Sequence, residues 1–348
     1  MALVSVIIPV HNAESWLSEA IQSTVNQNFS GNLEISVYND ASSDSSANIL
    51  NNLKQEFSQK VYNFVISGHN GEARGCGYAK NCAVAQSSGE YLCFLDADDV
   101  MLPDRIAEQL SLAVSLKNKH TKIVGSQFHR KPDGSTARFT AWANQLTPVQ
   151  LVTQVYTSHG PTVIMPTWFM HRSVFDRVGG FNQSTARGFP EDLEFFFKHL
   201  DCGGGVARVD ADLLMYRYQP AATTFSVHES AIFRLRMDRL VARVLPGWPS
   251  FSVWNAGKQG RRFYRALPPD LRRKVAAFCD VDPKKIQLGF YTFEESSQRP
   301  KPRIPIVHFS TVKPPLIICA KLDLTGGQLE SNLDSLGLTE GVDYYWFS

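Results

Sequence analysis

The chain has 348 residues, 43% of them hydrophobic and 20% charged, which is the balance of a globular protein long enough for two domains. Its net charge of +2 gives no overall nucleic-acid signal, and no stretch approaches the roughly 20 consecutive apolar residues of a membrane helix. The six cysteines show no C-x-x-C spacing, and the first apolar run has the length of a strand and lacks the pattern of a signal peptide, so a reducing, cytoplasmic location is predicted.

Four apolar stretches of strand length alternate with helical patterns near the start of the chain. The strands are predicted at residues 3–10, 33–38, 63–67 and 91–95. Strands that alternate with helices indicate parallel βαβ units and an open, doubly wound α/β sheet, whose ligands bind beyond the carboxyl ends of the strands. Polar residues end three of these strands, at His11-Asn12, Asp40 and residues 96–99, and are expected to converge on one crevice. Asn12 is also the predicted N-cap of the first helix.

Three carboxylates follow the fourth strand within four residues: Asp96, Asp98 and Asp99. They repel one another, and a hard cation such as Mg²⁺ or Mn²⁺, which prefers oxygen ligands, would relieve that repulsion. Such an ion takes one or two protein carboxylates and fills its other positions with water and substrate phosphates. The stretch therefore predicts a metal–diphosphate site. The alternative is a solvated acidic turn that caps a helix near Pro103.

A glycine-rich loop at residues 68–77 leads into the next predicted helix. Arg74 in the loop and Lys80 just after it supply cations that would suit a diphosphate, together with the backbone N–H groups of such a loop. Asp40, at the end of the second strand, either accepts hydrogen bonds from a nucleobase edge or caps a helix, and Asp44 is the better candidate for the cap.

A second acidic pair, Glu191 and Asp192, follows Pro190 at the predicted start of a helix. Proline suits the first helical turn, and acidic residues there interact favourably with the helix dipole. That structural role explains the pair in part. The functional interpretation makes one of the two carboxylates a general base, held beside the crevice by a rigid helix.

Taken in order, these motifs resemble the inverting glycosyltransferases of family 2, which have the GT-A fold. The resemblance spans residues 3–220. It rests on the strand ends, the glycine-rich loop with Ala79-Lys80-Asn81, the acidic stretch, a later Gly-Gly-Phe-Asn and the Glu-Asp pair. It implies a UDP-sugar donor, a divalent metal (Mn²⁺ or Mg²⁺) and direct transfer to an acceptor hydroxyl, without a covalent intermediate.

The resemblance also implies roles for individual residues. Asp40 would contact the uracil of UDP and Asp96 its ribose side. Asp98 would bind the metal that bridges the diphosphate. Asp192 would be the base that takes the proton of the acceptor, with Glu191 beside it. The predicted donor-binding residues are Pro9, His11, Asn12, Asp40, Arg74, Lys80 and Asp96.

One feature departs from the family pattern. Many members place a metal-binding histidine shortly after a Tyr-Arg pair, whereas Tyr216-Arg217-Tyr218 is followed here by Gln219, and His228 comes later. A glutamine oxygen suits Mg²⁺ better than Mn²⁺. The third metal ligand is therefore left open between Gln219 and His228.

A turn signal at residues 246–249 predicts a GT-A domain at residues 1–245 and a smaller domain at residues 246–348. In the smaller domain a predicted strand leads into residues 255–260, Asn-Ala-Gly-Lys-Gln-Gly, a dinucleotide-type G-x-G-x-x-G with asparagine in the first place. Asp280 ends the next strand, as a dinucleotide fingerprint would have it. We expect a Rossmann-like α/β domain, whose loop either binds a cofactor or is inherited without a ligand.

Seven cations follow this loop closely and form a candidate patch for a phosphate backbone. They are Lys258, Arg261, Arg262, Arg265, Arg272, Arg273 and Lys274. Residues 246–348 hold 14 Lys/Arg against 10 Asp/Glu, so a bound polyanion would be expected there. The alternative is an ordinary solvated helix face.

Residues 254–262 and 299–305, joined to family-2 catalysis without a membrane anchor, resemble a tRNA-modifying branch of the family. That resemblance implies transfer of galactose from UDP-galactose to queuosine at the anticodon wobble position of tRNA-Tyr. One alternative is a UDP-GlcNAc-dependent transferase that acts on a glycan or a protein. The other is a non-enzymatic tRNA- or nucleotide-binding protein with a vestigial site.

Overall fold

The structure is a computed structural model that describes residues 3–185, 187–219, 222–322 and 324–348. The chain divides into two compact units. One unit extends up to Val152 and over Gly160–Ile232, and the other comprises Thr153–His159 and Phe233–Ser348. The division falls inside the helix Glu229–Arg243, ahead of the boundary predicted after residue 245. The short segment Thr153–His159 joins the second unit although no local sequence signal sets it apart.

The described part of the first unit forms one sheet of eight strands. They are β1 Leu3–Val10, β2 Asn32–Asp40, β3 Asn63–His69, β4 Tyr91–Phe94, β5 Val100–Met101, β6 Lys122–Lys131, β7 Phe169–His171 and β8 Gly205–Arg217. Their order in the sheet is β3-β2-β1-β4-β7-β6-β8-β5. The neighbours β3, β2, β1 and β4 are parallel, as the alternation of strands and helices predicted, whereas β7 and β5 run antiparallel to their neighbours.

Helices connect these strands along the chain, and a longer helix follows β8. They are α1 Leu17–Val25, α2 Ser46–Phe57, α3 Cys76–Ala85, α4 Arg105–Ser115, α5 Ala137–Gln145, α6 Gln150–Thr153, α7 Arg172–Val178, α8 Glu191–Asp201 and α9 Glu229–Arg243. Short 3-10 helices occupy Lys119–Thr121, Met165–Thr167, Thr223–Ser226, Leu245–Gly247 and Phe309–Thr311.

The central strand β1 is buried on both faces. Val6 and Ile7, which point to opposite faces of the sheet, are each 0% exposed. This is the burial expected for the continuous apolar run of a parallel strand that is covered by helices on both sides. Helix α1 contributes Leu17 and Ile21 to the same core, four residues apart on one helical face.

The predicted start of the first helix is wrong. The helix begins at Leu17 with Trp16 at its N-cap, and no side chain caps it. Asn12 has a φ of +50° and lies in the loop before the helix. Its backbone N–H donates to Ser42 Oγ at 2.9 Å, and its Oδ1 accepts from the N–H of Ser43 at 2.8 Å. Asn12 is therefore held by the loop after β2 and takes no part in the helix.

The described part of the second unit forms a smaller sheet of six strands. They are β9 Phe251–Trp254, β10 Val275–Asp280, β11 Phe290–Thr292, β12 Arg303–His308, β13 Leu316–Ile318 and β14 Tyr344–Trp346. The order is β11-β12-β10-β9-β13-β14, and every pair except the edge pair β11–β12 is parallel. The parallel strands thus follow the order of a doubly wound Rossmann sheet, with the reversal between β9 and β13. Its helices are α10 Lys258–Ala266, α11 Pro269–Arg272, α12 Pro283–Gln287 and α13 Gln328–Asp334.

Within the described residues, every helix is too short or too polar to span a lipid bilayer.

Candidate active site

The loops at the carboxyl ends of β1 and β2 are joined by direct hydrogen bonds. His11 Nδ1 lies 2.7 Å from the carbonyl oxygen of Asp40, and Asn12 contacts the turn that follows. Pro9 is buried within β1 opposite Tyr38, whereas His11 and Asn12 are exposed at the end of the strand. The structure therefore brings together the two strand ends that the sequence placed in one crevice.

Asp40 anchors the glycine-rich loop. Its side chain is 2% exposed, and both of its carboxylate oxygens lie 3.0 Å from the backbone nitrogen of Arg74. The N–H of Gly75 donates to Oδ2 at 2.7 Å. Two backbone donors therefore fix this carboxylate where β2 ends, and the positive φ of +97° at Gly75 lets the chain turn into α3. Contact of Asp40 with a nucleobase stays a prediction.

The side chain of Arg74 is exposed and stacks on an aromatic ring. Its guanidinium carbon lies 3.7 Å from the centroid of the Tyr78 ring. Tyr78 in turn packs against Tyr38 and His69, and the Tyr38 hydroxyl lies 3.2 Å from His69 Nδ1. This arrangement leaves the Arg74 cation at the surface beside Asp40, where an anionic ligand can reach it.

Lys80 has a different environment. It is 2% exposed, and its Nζ lies 3.1 Å from Glu191 Oε1 and 5.2 Å from the centre of the Phe181 ring. Burial by itself lowers the pKa of an ammonium group, but here Cys76 and three neighbouring carboxylates raise the pKa of Lys80 well above its ordinary value. Lys80 is therefore a charged side chain enclosed in the protein.

The acidic stretch after β4 concentrates three carboxylates whose negative charges repel one another. Asp96 Oδ1 and Asp99 Oδ2 are buried and accept no hydrogen bond in the described part of the chain. Burial, together with the charges of Asp98 and Glu191, raises the pKa of Asp96 to about 6 despite the opposing effect of Lys80. Burial and the neighbouring Asp98 and Asp96 likewise raise the pKa of Asp99 well above its usual range. A cation bound here would offset this charge.

Asp98 contacts Gln219, which stands where many members of the family have a metal-binding histidine. The amide of Gln219 is hydrogen-bonded to Asp98 Oδ2. His228 is exposed, and its Nδ1 lies 2.7 Å from Ser230 Oγ. Within the described residues, no group of three His, Cys, Asp or Glu side chains lies close enough to hold a metal ion. Carboxylate and amide oxygens are nevertheless the donors that Mg²⁺ prefers, so Asp98 and Gln219 fit that ion.

Arg217 ties the acidic stretch to the end of β8, a role that the sequence analysis missed. Its backbone N–H donates to Asp99 Oδ1 at 2.9 Å, and its Nε donates to the carbonyl oxygen of Asp98 at 2.8 Å. The guanidinium group also pairs with Glu19 and lies 4.2 Å from the ring centroid of Trp16. In the sequence, the Tyr-Arg pair before Gln219 was the one feature that could have indicated these contacts of Arg217.

Asp192 lies in the first turn of α8. Its Oδ1 accepts the N–H of Leu193 at 2.7 Å. Burial is the main reason that its pKa is raised to about 7; Glu191 adds to the effect and Lys80 opposes it. A Cβ atom on Gly160 would lie 3.7 Å from Asp192 Oδ2 and would meet no other atom within 4 Å. The lack of a side chain at Gly160 therefore leaves space beside this oxygen.

Asn81 holds the loop that precedes α8. Its Nδ2 donates to the carbonyl oxygen of Phe181 at 2.8 Å, and its Oδ1 accepts the N–H of Phe181 at 2.9 Å. The Phe181 ring stacks on Phe195, with centroids 4.6 Å apart, and lies in an aromatic cluster with Trp168. This double hydrogen bond fastens the loop to α3 and so positions the helix that carries Glu191 and Asp192.

Hydrogen bonds of Asn255 hold the loop after β9 in the second unit. Asn255 has a φ of +96°, its Nδ2 donates to the carbonyl oxygen of Cys319 at 2.8 Å, and its Oδ1 accepts the N–H of Gly257 at 2.8 Å. Cys319 follows β13, so Asn255 spans the point where the strand order reverses. That point is where doubly wound sheets bind their ligands.

Asp280, the residue that would bind a ribose in a dinucleotide fold, also accepts hydrogen bonds within the second unit. It is 5% exposed, and its Oδ2 accepts the N–H of Ala256 and the ammonium of Lys285, both at 2.9 Å. Its Oδ1 accepts the backbone N–H groups of the next two residues. Asp280 is thus held by contacts within the second unit, and the two alternatives for this loop, a cofactor site or an inherited fold without a ligand, stay predictions.

The seven cations of the predicted patch do not share one environment. Three of them bond backbone carbonyl oxygens within the second unit. These bonds are Arg261 Nε to Ala256 O at 2.8 Å, Arg272 Nε to Leu267 O at 3.0 Å and Lys274 Nζ to Trp248 O at 2.8 Å. Arg262 lies over the Phe233 ring at 4.1 Å. Lys258, Arg265 and Arg273 are exposed, and Arg265 Nε lies 3.9 Å from Glu295.

The sequence profile described as Glycosyl transferase family 2 matches residues 5–179, half of the 348 residues. The chain therefore belongs to glycosyltransferase family 2. This confirms the family that the motifs predicted, and the match covers the strand ends, the glycine-rich loop and the acidic stretch. Glu191 and Asp192 lie beyond the matched residues.

Curated relatives match part of the chain. An uncharacterized glycosyltransferase of Rickettsia felis is 30% identical over 203 residues, which cover 57% of this chain and 31% of the relative. The Escherichia coli UDP-Glc:alpha-D-GlcNAc-diphosphoundecaprenol beta-1,3-glucosyltransferase WfaP is 31% identical over 110 residues, which cover 32% of this chain and 41% of that protein. The chain thus spans less than half the length of these two relatives.

Solved structures share the fold. The complex of S. aureus TarS 1-349 with UDP-GlcNAc superposes with a TM-score of 0.53 at 17% identity, over 76% of this chain and 70% of that chain. The same protein in complex with UDP gives a TM-score of 0.52 at 18% identity, over 76% and 69%. Together with the large, mostly parallel sheet, this confirms the predicted GT-A class of α/β fold.

Proposed function

We propose that this protein is an inverting glycosyltransferase that uses a UDP-sugar donor. Membership of family 2 supports the reaction class. The observation that carries the proposal is that Asp40 and the acidic stretch each follow a parallel strand, at the ends where open α/β sheets bind their ligands, and that Asp192 interacts electrostatically with Asp96 of that stretch. Asp40 and Arg74 would bind the nucleotide, and Asp96 would face its ribose.

Asp192 is the general base of the proposed reaction. Its Oδ2 takes the proton of an acceptor hydroxyl that enters beside Gly160. The hydroxyl oxygen then bonds to the anomeric carbon as the bond to the UDP oxygen breaks, and that electron pair leaves with UDP. A carboxylate with a pKa of about 7 is well matched to a base that works near neutral pH.

Asp98 and Gln219 would hold a divalent cation. When bound, such an ion neutralises charge that develops on the departing diphosphate. Asp96 Oδ1 and Asp99 Oδ2, which accept no hydrogen bond from the described residues, support a cation at this place. An amide in place of an imidazole favours Mg²⁺ over Mn²⁺, so full activity is expected with Mg²⁺ alone.

The finer proposal is transfer of galactose from UDP-galactose to queuosine at the wobble position of tRNA-Tyr. The resemblance of residues 254–262 and 299–305 to a tRNA-modifying branch of the family supports it. The exposed cations Lys258, Arg265 and Arg273 of the second unit are compatible with a phosphate backbone. The name of the E. coli relative contains UDP-Glc, and S. aureus TarS was solved in complex with UDP-GlcNAc, so both sugars are competing donors in the test.

The test is transfer from tritiated UDP-galactose, with Mg²⁺ or Mn²⁺, to tRNA-Tyr with and without queuosine. Parallel reactions contain UDP-GlcNAc or UDP-glucose. We expect label only from UDP-galactose and only on queuosine-bearing tRNA. Asp192→Asn should reduce the rate by about 10²-fold or more while UDP binding persists, because it removes the base alone. Asp176→Asn, an exposed carboxylate of α7, is the matched control.

Two results would contradict the proposal at different levels. Slow hydrolysis of a UDP-sugar without labelled tRNA would be consistent with a glycosyltransferase but would contradict tRNA as the acceptor. The acceptor would then be sought among glycans and proteins. Absence of both UDP binding and UDP-sugar turnover would favour a protein with a vestigial site.

A further inference from the structure

Lys80 is the cation that pairs with Glu191 in the first turn of α8. It projects from α3, is 2% exposed and pairs with Glu191 Oε1 at 3.1 Å, across 111 residues of sequence. The face of the Phe181 ring covers it on another side at 5.2 Å. A side chain enclosed in this way has little surface to offer to a diphosphate.

Asp192 is surrounded mainly by other acids. Glu191 adjoins it on the same helix, and the negative charge of Asp96, which follows β4, also raises its pKa. Tyr216 of β8 faces it as well, and burial keeps that phenol neutral by raising its pKa. The positive charge of Lys80 opposes the effect of these acids on Asp192. Two adjacent half-buried carboxylates cannot both ionise cheaply without a counter-ion.

From this geometry we propose that Lys80 is a positioning residue, which binds the Glu191 carboxylate and supplies the positive charge that keeps Asp192 ionised as the base. The proposal rests on the proposed transferase function. It changes the predicted role of Lys80 from a ligand of the donor diphosphate to a buried counter-ion of the base. Arg74, exposed over Tyr78, then remains as the cation of the glycine-rich loop that can reach the donor.

The proposal predicts opposite effects for the two partners of the ion pair. Lys80→Met removes the positive charge, so Asp192 should hold its proton more tightly. Glu191→Gln removes the neighbouring negative charge and leaves Lys80 unneutralised, so Asp192 should release its proton more readily. A merely structural role of the pair would lower the rate in both variants without moving their pH profiles in opposite directions.

The experiment is the pH profile of kcat/KM for UDP-sugar turnover by the full chain at a saturating concentration of Mg²⁺. For Lys80→Met we expect the acidic limb to move upward by about one pH unit or more, and for Glu191→Gln to move downward. Lys80→Arg should restore most of the wild-type profile. Lys198→Met is the matched control, because this exposed lysine pairs with Glu194 on the same helix at 3.1 Å, and its profile should be unchanged.

UDP affinity, measured by calorimetry, separates the remaining interpretations. We expect Lys80→Met to bind UDP within about twofold of the wild type. If Lys80→Met lost tenfold or more in UDP affinity and its pH profile of kcat/KM did not move, the proposal would be overturned. Lys80 would then be a ligand of the donor diphosphate. Loss of all turnover in Glu191→Gln with normal UDP binding would overturn it too, because Glu191 would then be the base. A wild-type chain without turnover contradicts the transferase itself and is recognised before any variant is made.

Discussion

The ionisation state of Asp192 links the proposed catalysis to stability at the residue scale. Burial raises its pKa to about 7, against an ordinary value of 3.8. A carboxyl group whose pKa is higher in the folded state stabilises the fold while it is protonated. That stabilisation is fully present below pH 4 and is lost as the pH rises through about 7. The wild-type chain therefore carries an electrostatic cost at pH 8 that serves the proposed reaction.

Asp192→Asn should remove this cost. We expect the free energy of unfolding to rise relative to the wild type, on the order of 2 kcal/mol at pH 8 and much less at pH 5. Urea denaturation at both pH values measures the difference. The exposed Asp176→Asn should change stability equally at the two pH values. A gain for Asp192→Asn that does not depend on pH would contradict the raised pKa.

At the scale of elements, single side chains join segments that are remote in sequence. Asn81 of α3 bonds Phe181 through both of its amide atoms, across 100 residues. Arg217 at the end of β8 bonds the backbone of Asp98 and the carboxylate of Asp99, across more than a hundred residues. These bonds position the site although neither residue transfers a proton in the proposed reaction. The sequence placed both residues within motifs but could not identify their partners.

A glycine in α10 offers a test of close packing in the second unit. A Cβ atom on Gly260 would lie 1.9 Å from the carbonyl oxygen of Asn255. Helix propensity alone predicts that Gly→Ala stabilises a helix by about 1 kcal/mol. The contact predicts the reverse, because the backbone of the loop cannot move aside without breaking the Asn255 bonds. We expect Gly260→Ala to lower the free energy of unfolding by about 1–3 kcal/mol.

Chemical denaturation, followed by the fluorescence of the tryptophans, measures this effect. The exposed Gln259→Ala, one residue earlier in the same helix, is the control and should be neutral. A more stable Gly260→Ala variant would show that the loop after β9 can shift. That result would support binding of a ligand in this loop.

At the scale of the whole molecule, the proposed acceptor predicts where charge matters. Lys258 and Arg265 are exposed in α10, whereas Lys313 and Lys321 are exposed elsewhere in the same unit. If tRNA binds along α10, Lys258→Glu/Arg265→Glu should weaken its binding. The slope of log K against log salt should fall by about two, because two phosphate contacts are lost.

Lys313→Glu/Lys321→Glu makes the same change in net charge and serves as the control. We expect its affinity and salt slope to stay close to those of the wild type. Equal losses in both double variants would mean that only the net charge of the unit matters. Unchanged binding in both would place the tRNA contact away from α10. Filter binding at several salt concentrations distinguishes these outcomes.

Sequence by itself determined the family, the parallel sheet of the first unit and the acids at its strand ends. These properties are local, since an apolar run followed by Asp96, Asp98 and Asp99 predicts a buried strand with a polar end wherever it occurs. The same reasoning from local pattern gave a wrong prediction at Asn12, which was expected to cap the first helix. Its amide instead bonds a loop 31 residues away, because long-range partners compete with the nearest helix end.

Only the tertiary structure decided which charges face one another. Lys80 and Arg74 look alike in the sequence as cations of one glycine-rich loop, yet one is buried against Glu191 and the other is exposed over Tyr78. Three cations of the predicted patch likewise bond backbone carbonyl oxygens. The physical reason is that burial and ion pairing depend on contacts between residues remote in sequence, whereas a motif specifies residue types and spacing alone.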